Sequence, residues 1–352
     1  MSFTIDRMPI PDTLDGPGGA DFVEMVVVRN EIEAETSGLA EISPTAQDLL
    51  PHWQNPYSPQ VLFVARVDGR IVGRAVLTLP IEEESPTARL RPEVLAAFRG
   101  QGIGTALLEA VESTAREAGR TVFETESMAV PGEGEQIHSP TGFGSVPADN
   151  AATRFALRHG YTLGQVARGS RLPLPFDAAG ALEAAAEASG PAYRTEAWTG
   201  AIPDARLDDL AYLHSRMSTD APSADLEVTP EVWDADRVRA LDELRAKTGT
   251  STLTSVVEHI ESGRLVAFSE LSVPPDTALA VHQQDTLVLK EHRGHRLGML
   301  AKVANLELLE REHGGHSSVI TFNAEENRPM LDVNEAIGFV PFVYEAVWEK
   351  RV

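Results

Sequence analysis

The chain contains no cysteine. That absence excludes a disulfide framework, cysteine-ligated zinc and a cysteine nucleophile, and it fits a reducing compartment. Long apolar runs are missing as well, so no stretch reads as a membrane span. Met1 to Leu14, interrupted by Pro9 and Pro11, lacks the basic start and apolar core of a signal peptide. The expected setting is the cytoplasm. Positive charge is the third shortage: 30 Lys and Arg stand against 53 Asp and Glu, a formal net charge of −23. Such a field repels polyanions. It argues against nucleic acid or an anionic membrane as main partner, and is read either as attraction of a cation such as an amine or as a highly solvated surface with no partner.

What is present is a chain of 352 residues, 42% hydrophobic and 24% charged, long enough for two or three domains with real cores. One loop occurs twice. The first copy is Arg99-Gly100-Gln101-Gly102-Ile103-Gly104, and the second is Arg293-Gly294-His295-Arg296-Leu297-Gly298. Each follows an extended apolar stretch and opens an amphipathic helix. The first N–H groups of a helix lack internal acceptors and lie at the positive end of its dipole, so each junction reads as an anion site. Arg99 and Arg293 stand 194 positions apart, a spacing that suits duplicated domains rather than a solenoid.

The order of elements repeats. In the first half, Val61–Val67 and Arg70–Leu79 read as a hairpin turned at Asp68-Gly69. Arg89–Leu95 leads into the loop. Leu107, Leu108, Val111, Ala115 and Ala118 then mark a helix face. Thr121–Thr125 reads as a strand, and Ala151–His159 as a helix stopped at Gly160-Tyr161. The second half matches: a strand at Leu265–Glu270, Thr286–Leu289 before the loop, a helix to His313, a strand at Ser318–Phe322, and a helix at Met330–Ile337 stopped at Gly338-Phe339. Leu172-Pro173-Leu174-Pro175 and the alanine-rich Asp177–Gly190 read as a linker. The expected domains are 1–177 and 192–352, joined by a linker helix at 178–191. Pro131–Pro147 reads as a long loop, with Glu133 and Glu135 as candidates to attract a cation. Residues 220–249 read as an insertion with a helix near Val238–Ala246.

Strand, Arg-x-x-Gly-x-Gly, helix, strand, helix and Gly-aromatic, found twice, resemble the GNAT superfamily of N-acyltransferases. The resemblance covers most of the chain and extends to His292-Arg293-Gly294, Asn327-Arg328-Pro329-Met330 and Asn334 to Phe339. The second loop departs from the pattern at Arg296, where the family usually has glycine. Arginine is expected to be tolerated there with φ kept negative. The resemblance implies an α/β fold of two GNAT-like domains in tandem. Each would be a mostly antiparallel twisted sheet with splayed central parallel strands, flanked by helices. It implies acetyl-CoA or another acyl-CoA as ligand, with no metal. Arg99, Gly100, Gln101, Gly102, Ile103, Gly104 and Thr105 in one loop would hold the pyrophosphate. Arg293, Gly294, His295, Arg296, Leu297, Gly298 and Met299 would do so in the other. Val94, Leu287 and Val288 would run beside the pantetheine, and Asn323 and Asn327 would meet the cofactor from the following strand and helix.

Acyl transfer to an amine requires a base for the ammonium, a donor for the oxyanion and a proton for the leaving thiolate. Without cysteine, direct attack in a ternary complex is expected. Asp285, just ahead of the second loop, is the leading base; the residue at the same offset in the first half is Arg91, which cannot accept a proton. The asymmetry points to the second domain for catalysis, with Glu124 and Glu126 as alternatives in the first. The tyrosine that many family members use as acid is missing: Asn334 and Ala156 stand there, leaving Asn334 as a donor, and Tyr161, Tyr344 or water as the acid. His292, His295, His313 and His316 form two His-x-x-His pairs, read as structural rather than metal-binding. Trp53, Trp198, Trp233 and Trp348 are assigned to core or interface. The acceptor is a small-molecule or peptide amine, and the chain is expected to be a monomer or homodimer. The alternative is a non-catalytic acyl-CoA sensor or scaffold.

Overall fold

In the computed structural model, residues 2–38, 43–82, 84–130, 132–220, 224 and 226–352 are described. The chain divides into two compact units, one of residues 1–167, 224–227 and 343–352, the other of residues 168–223 and 228–342.

Unit 1 begins with β1 (Thr4–Met8), α1 (Gly19–Ser37), α2 (Ala46–Trp53), β2 (Gln60–Val67), β3 (Arg70–Thr78) and β4 (Thr87–Val94). The β2–β3 turn is the expected one: Asp68 and Gly69 both have positive φ, 49° and 81°, as a type I′ hairpin requires. Helix α2 starts on a capping box in which the Asp48 N–H donates to Thr45 Oγ1 and the Thr45 N–H to Asp48 Oδ2. Next come α3 (Ile103–Glu117), β5 (Val122–Ala129), a small hairpin of β6 (Gln136–His138) and β7 (Ser145–Pro147), α4 (Ala151–Arg158) and β8 (Thr162–Pro173). The hairpin falls in the segment expected to be a plain loop; Pro131, where that segment starts, lies outside the described residues. Helix α3 buries Ile103, Leu107, Leu108, Val111 and Ala115 on one side of the sheet, and Phe22, Met25, Val26 and Trp53 of α1 and α2 cover the other.

Unit 2 holds the second half of β8, from Arg168, then α5 (Ala178–Ser189), β9 (Tyr193–Thr199), α6 (Leu207–Asp220) and α7 (Ala235–Lys247). It continues with β10 (Ser251–His259), β11 (Arg264–Val273), β12 (Val281–Val288), α8 (Leu297–Glu312), β13 (Ser318–Ala324) and α9 (Arg328–Ile337). Its strands run in the order β8-β13-β12-β11-β10-β9. Helix α5, expected to link the domains, packs Ala178 and Ala185 into the same core as α8. Helices α6 and α7 cover the opposite face through Leu207, Leu210, Leu213 and Val238.

The last strand, β14 (Val340–Arg351), lies antiparallel to β5 over Tyr344–Arg351. The end of the chain therefore completes the sheet of unit 1, an arrangement local patterning does not reveal. Trp348 and Trp53 are buried in unit 1, whereas Trp198 and Trp233 pack at the edge of the α6–α7 core.

In each unit the two central parallel strands separate, as expected for the fold. Strands β4 and β5 pair over Thr87–Arg89 and Val122–Glu124 and then diverge; β12 and β13 pair at Val281–His282 and Val319–Ile320. Beyond those points the facing edges carry unpaired amides along an open gap.

Candidate functional site

The two loops have the same backbone. Each begins with a tight turn, closed by Phe98 N–H to Leu95 O and by His292 N–H to Leu289 O, both 2.9 Å. The arginine that follows is extended, with φ −69° at Arg99 and −68° at Arg293, and its Nε donates back to the last strand carbonyl: Arg99 to Val94 O at 3.0 Å, Arg293 to Val288 O at 3.1 Å. Arg99 is also held by Glu35 at 2.8 and 2.7 Å. These two arginines thus brace the loops to the strands. Gly100 and Gly294 have φ of 75° and 87°. Helices α3 and α8 then start with Ile103 and Leu297, so the N–H groups of Ile103, Gly104 and Thr105, and of Leu297, Gly298 and Met299, form their open first turns. A Cβ built on Gly100, Gly102 or Gly294 would meet nothing within 4 Å, which leaves room for a diphosphate above the turns, over Gln101 and His295.

Arg296 corrects one expectation. It takes the place of Gly102 and shares its conformation, φ 56° against 86°, where a negative φ was expected. The backbone path fixes the left-handed conformation, and arginine bears the steric cost of about 1–2 kcal/mol. Its side chain is exposed at the loop, where a cation suits a diphosphate.

Along β4, the N–H of Leu95 bonds Val72 O. By alternation the amides of Glu93 and Arg91 also face β3, and those of Val94 and residue 92 face the gap. Residue 92 is proline, so unit 1 lacks that amide. In β12, Leu289 N–H bonds Val266 O, so Val288 and Thr286 present their amides to the gap. Leu287, expected beside the pantetheine, pairs with Phe268 and buries its side chain; its own amide is turned to β11.

Strand β12 carries a bulge that β4 lacks. Ser269 pairs with Thr286 and Leu271 with Gln283, so Gln284 and Asp285 together oppose Glu270. The ladder bond lost there is replaced by Gln283, whose Nε2 donates to Glu270 O at 2.7 Å and Ser269 Oγ at 3.0 Å. In unit 1 the corresponding stretch is regular, Arg91 against Val76 and Pro92 against Ala75.

The bulge places Asp285 beside the gap in an unusual setting. Glu270, fully buried, is bound by Arg245 at 3.0 and 3.3 Å. Burial works to raise the Glu270 carboxyl, but Arg245, His214 and Thr254 together hold it below the usual carboxylate range. Burial and then the negative charge of Glu270 push Asp285 up to about 6, against the pull of Arg245. Asp285 keeps 49% of its side chain accessible. Its surroundings thus make it basic while leaving it open to a ligand. The His214 imidazole lies between the carboxylates, Nδ1 3.9 Å from Asp285 Oδ2 and Nε2 3.9 Å from Glu270 Oε1. It stacks on Trp233 at 4.6 Å. Burial lowers its pKa, which favours the neutral ring. Sequence reasoning missed His214, Arg245 and Glu270; a histidine inside the apolar stripe of α6 was their one local signal.

The remaining expected residues separate. Asn334 and Asn323 meet each other, Asn334 Nδ2 donating to Asn323 Oδ1 at 2.7 Å. Asn327 sits at the N-terminus of α9 without a side-chain cap bond. Tyr161 does not suit an acid: it is buried, its hydroxyl donates to Glu112 at 2.9 Å, and burial and that carboxylate raise it far above neutral. Tyr344 packs at the edge of the unit 1 core. His292 and His295 gather around Tyr193, whose hydroxyl lies 3.1 Å from His292 Nδ1, while His316 bonds Leu279 O. Among the described residues no group of His, Asp and Glu is arranged to hold a metal. Glu133 and Glu135 are exposed.

Residues 28–128 match the acetyltransferase (GNAT) family. No curated protein matches the chain in sequence. Among solved structures, a tandem GNAT protein from the clavulanic acid biosynthesis pathway, in its form without AcCoA, is 25% identical; the match covers 99% of this chain and 98% of that one with a TM-score of 0.75. A GCN5-related N-acetyltransferase from Sphaerobacter thermophilus is 16% identical over 99% of this chain and 95% of its own, with a TM-score of 0.62. Residues 28–128 are thus a GNAT acetyltransferase domain, and the chain as a whole has the tandem GNAT fold.

Proposed function

We propose that the protein transfers an acyl group from acyl-CoA, acetyl-CoA foremost, to the primary amine of a small molecule or peptide, and that unit 2 carries the chemistry. Acyl-CoA supplies the activated acyl carbon when bound. In unit 2 the first-turn amides of α8 hold its diphosphate, and those of α3 hold the diphosphate of a separate acyl-CoA in unit 1. The gap-facing amides of Val288 and Thr286 align the chain behind it, in the manner of an added strand. The Thr286 N–H is then the donor to the carbonyl oxygen as negative charge develops there. Asp285 takes one proton from the ammonium, the amine attacks the acyl carbon directly, and as the tetrahedral adduct collapses the C–S bond breaks and coenzyme A leaves as a thiolate, which takes the second proton lost by nitrogen through water.

One observation carries this reading: a half-accessible carboxylate tuned to about 6, placed at the gap by a bulge that unit 1 does not have. A base of that strength is mostly ionised at neutral pH and still accepts a proton. Asp285→Asn is expected to lower kcat about 10²–10⁴-fold with acyl-CoA affinity unchanged, and to abolish an acidic limb centred near 6 in kcat/KM. An unaltered rate and pH profile would refute the assignment.

A second reading, an acyl-CoA sensor or scaffold, is favoured by the fate of the acid candidates: Asn334 is occupied by Asn323, and Tyr161 by Glu112. Acyl-CoA binding with no thiol release on any of a panel of amines would select it. Unit 1, with Pro92 and Arg91 at its gap, is assigned to binding rather than turnover.

A further inference from the structure

Four rings gather beside the second loop, where the proposed transfer makes no use of them. Tyr193 comes from the start of β9, His259 from the end of β10, His292 from the turn ahead of Arg293, and His295 from the loop itself. The Tyr193 hydroxyl lies 3.1 Å from His292 Nδ1. The His259 and His292 ring centroids are 5.1 Å apart. From Tyr193 the centroids of His295, His259 and His292 lie at 5.3, 5.5 and 5.9 Å. His295 is exposed and the other rings are half-buried.

Unit 1 builds the same frame from other residues. Phe98 and Gln101 stand where unit 2 has His292 and His295, and the hairpin strand that ends at His259 in unit 2 ends at Val67 in unit 1. Phe98 packs against the unit 1 core. The turn and the brace form there around an apolar ring, so the frame itself does not require imidazole.

Imidazoles this close resist charging together. Burial and then His259 lower the His292 pKa; Glu291 pulls it up and His295 down. The other charges nearby are engaged elsewhere. Arg293 turns to Val288 O and Asp220, Lys290 pairs with Asp220, and Arg296 is exposed at the loop. Arg194 and Arg206 hold Glu258, Arg264 holds Asp209, and Glu261 is exposed in the turn after His259. The first charged residue of α8 is Lys302, set against the Phe339 ring. The positive end of the α8 dipole lies at the same loop. The free chain therefore favours neutral rings. A diphosphate on the first-turn amides brings negative charge beside them and reverses that balance.

We propose that His259, His292 and His295 are a proton-binding element of the unit 2 acyl-CoA site, so that the diphosphate is taken up together with about one proton. The inference rests on the reading that the first turn of α8 holds that diphosphate. Its sign follows from linkage. A histidine whose proton affinity rises on binding adds affinity in full below its pKa in the free chain, and the gain is lost as pH rises through its pKa in the complex. With an ordinary histidine titrating at about 6.5, unit 2 binds acyl-CoA more tightly at about pH 5.5 than at about pH 8. Unit 1, with Val67, Phe98 and Gln101 at these places, lacks the response.

The test uses the full chain carrying Gly104→Glu, which leaves the unit 2 site, and dephospho-CoA as probe. That probe keeps the diphosphate and lacks the phosphate monoester, which itself titrates at about 6. Calorimetry in buffers of different ionisation enthalpy counts the protons bound. Uptake of about 0.5–1 proton is expected at about pH 6.5, with Kd about tenfold lower at about pH 5.5 than at about pH 8. Gly298→Glu, which leaves the unit 1 site, is expected to show neither. Exchange of the histidines for their unit 1 counterparts, His259→Val with His292→Phe and His295→Gln, is expected to keep the affinity at about pH 8 and abolish the uptake; the retained affinity shows that the loop is folded. His295→Gln alone, an exposed change, is expected to reduce the uptake. Asp285→Asn, which removes another group of unit 2 that titrates at about 6, is expected to leave it in place. Binding without proton uptake, equal uptake in Gly298→Glu, or uptake unchanged in both histidine variants would overturn the proposal and leave the diphosphate reading standing. Failure of Gly104→Glu to bind either CoA or dephospho-CoA at any pH would overturn both.

Discussion

Lys302 gives the sharpest quantitative test of the fold. It lies on α8, is 1% exposed, and has no hydrogen-bond or ion-pair partner among the described residues; its ammonium rests 5.8 Å from the Phe339 ring centroid. Burial alone pushes its pKa down from 10.5 to about 7. At about 1.4 kcal/mol per tenfold change in proton affinity, the protonated side chain destabilises the fold by roughly 5 kcal/mol. The sign follows from linkage. At and below pH 7 both folded and unfolded chains hold the proton, and the cost is present in full. Between 7 and 10.5 only the unfolded chain holds it, so stability rises with pH; above 10.5 the cost is gone. Unit 1 has Leu108 at the corresponding place in α3, five residues after Ile103 as Lys302 is five after Leu297. Lys302→Met is therefore expected to stabilise unit 2 by about 3–5 kcal/mol near pH 7, with the gain fading toward pH 10. Urea unfolding of both proteins across that range, with hydrogen exchange of the α8 amides to identify the unit, measures the difference. A gain independent of pH, or a loss near pH 7, would show that Lys302 has a partner or solvent access that the packing denies.

Arg296→Gly is expected to stabilise unit 2 by about 1 kcal/mol through relief of the left-handed conformation, while weakening acyl-CoA through loss of a cation; denaturant unfolding and CoA titration should move in opposite directions. Gly298→Glu is expected to abolish both acyl-CoA binding in unit 2 and turnover, whereas Gly104→Glu removes binding in unit 1 and leaves turnover in place; equilibrium binding with steady-state rates separates them, and turnover lost with Gly104→Glu alone reverses the assignment of the units.

The parts legible in sequence were those set by neighbours along the chain. Two glycines in a six-residue turn, an apolar stretch before it and an amphipathic stripe after it are enough to place both loops, and α3 begins where Gly102 predicts. The Asp68-Gly69 hairpin is local in the same sense. Features that depend on distant residues were not legible. The bulge at Asp285 exists because β12 pairs out of step with β11 and Gln283 repairs the broken ladder, and no pattern within β12 announces that. The raised pKa of Asp285 depends on burial, on Glu270 and, in opposition, on Arg245; the two side chains arrive from distant elements, β11 and α7. Likewise β14 has the alternation of any strand, with nothing to say that it completes the sheet of unit 1. Arg296 misled for a different reason: a non-glycine residue was taken to imply a negative φ, but the loop geometry is set by its bracing at Arg293 and outweighs the preference of one side chain.

The two units place different residues at the same point of one scaffold. Their loops share the same closing turn and the same arginine brace to the last strand carbonyl, so the proposed diphosphate site has the same frame in both. They differ ahead of the loops, at the offsets 91–92 and 285–286. Pro92 removes the gap-facing amide that Thr286 supplies, and Arg91 is a cation tied to Glu93 where Asp285 is a carboxylate freed by a bulge. A single substitution does not convert one into the other: Arg91→Asp would leave a regular strand, place a third carboxylate beside Glu33 and Glu93, and still lack the amide at 92. The retained loop geometry in unit 1 therefore fits the role in binding proposed for it.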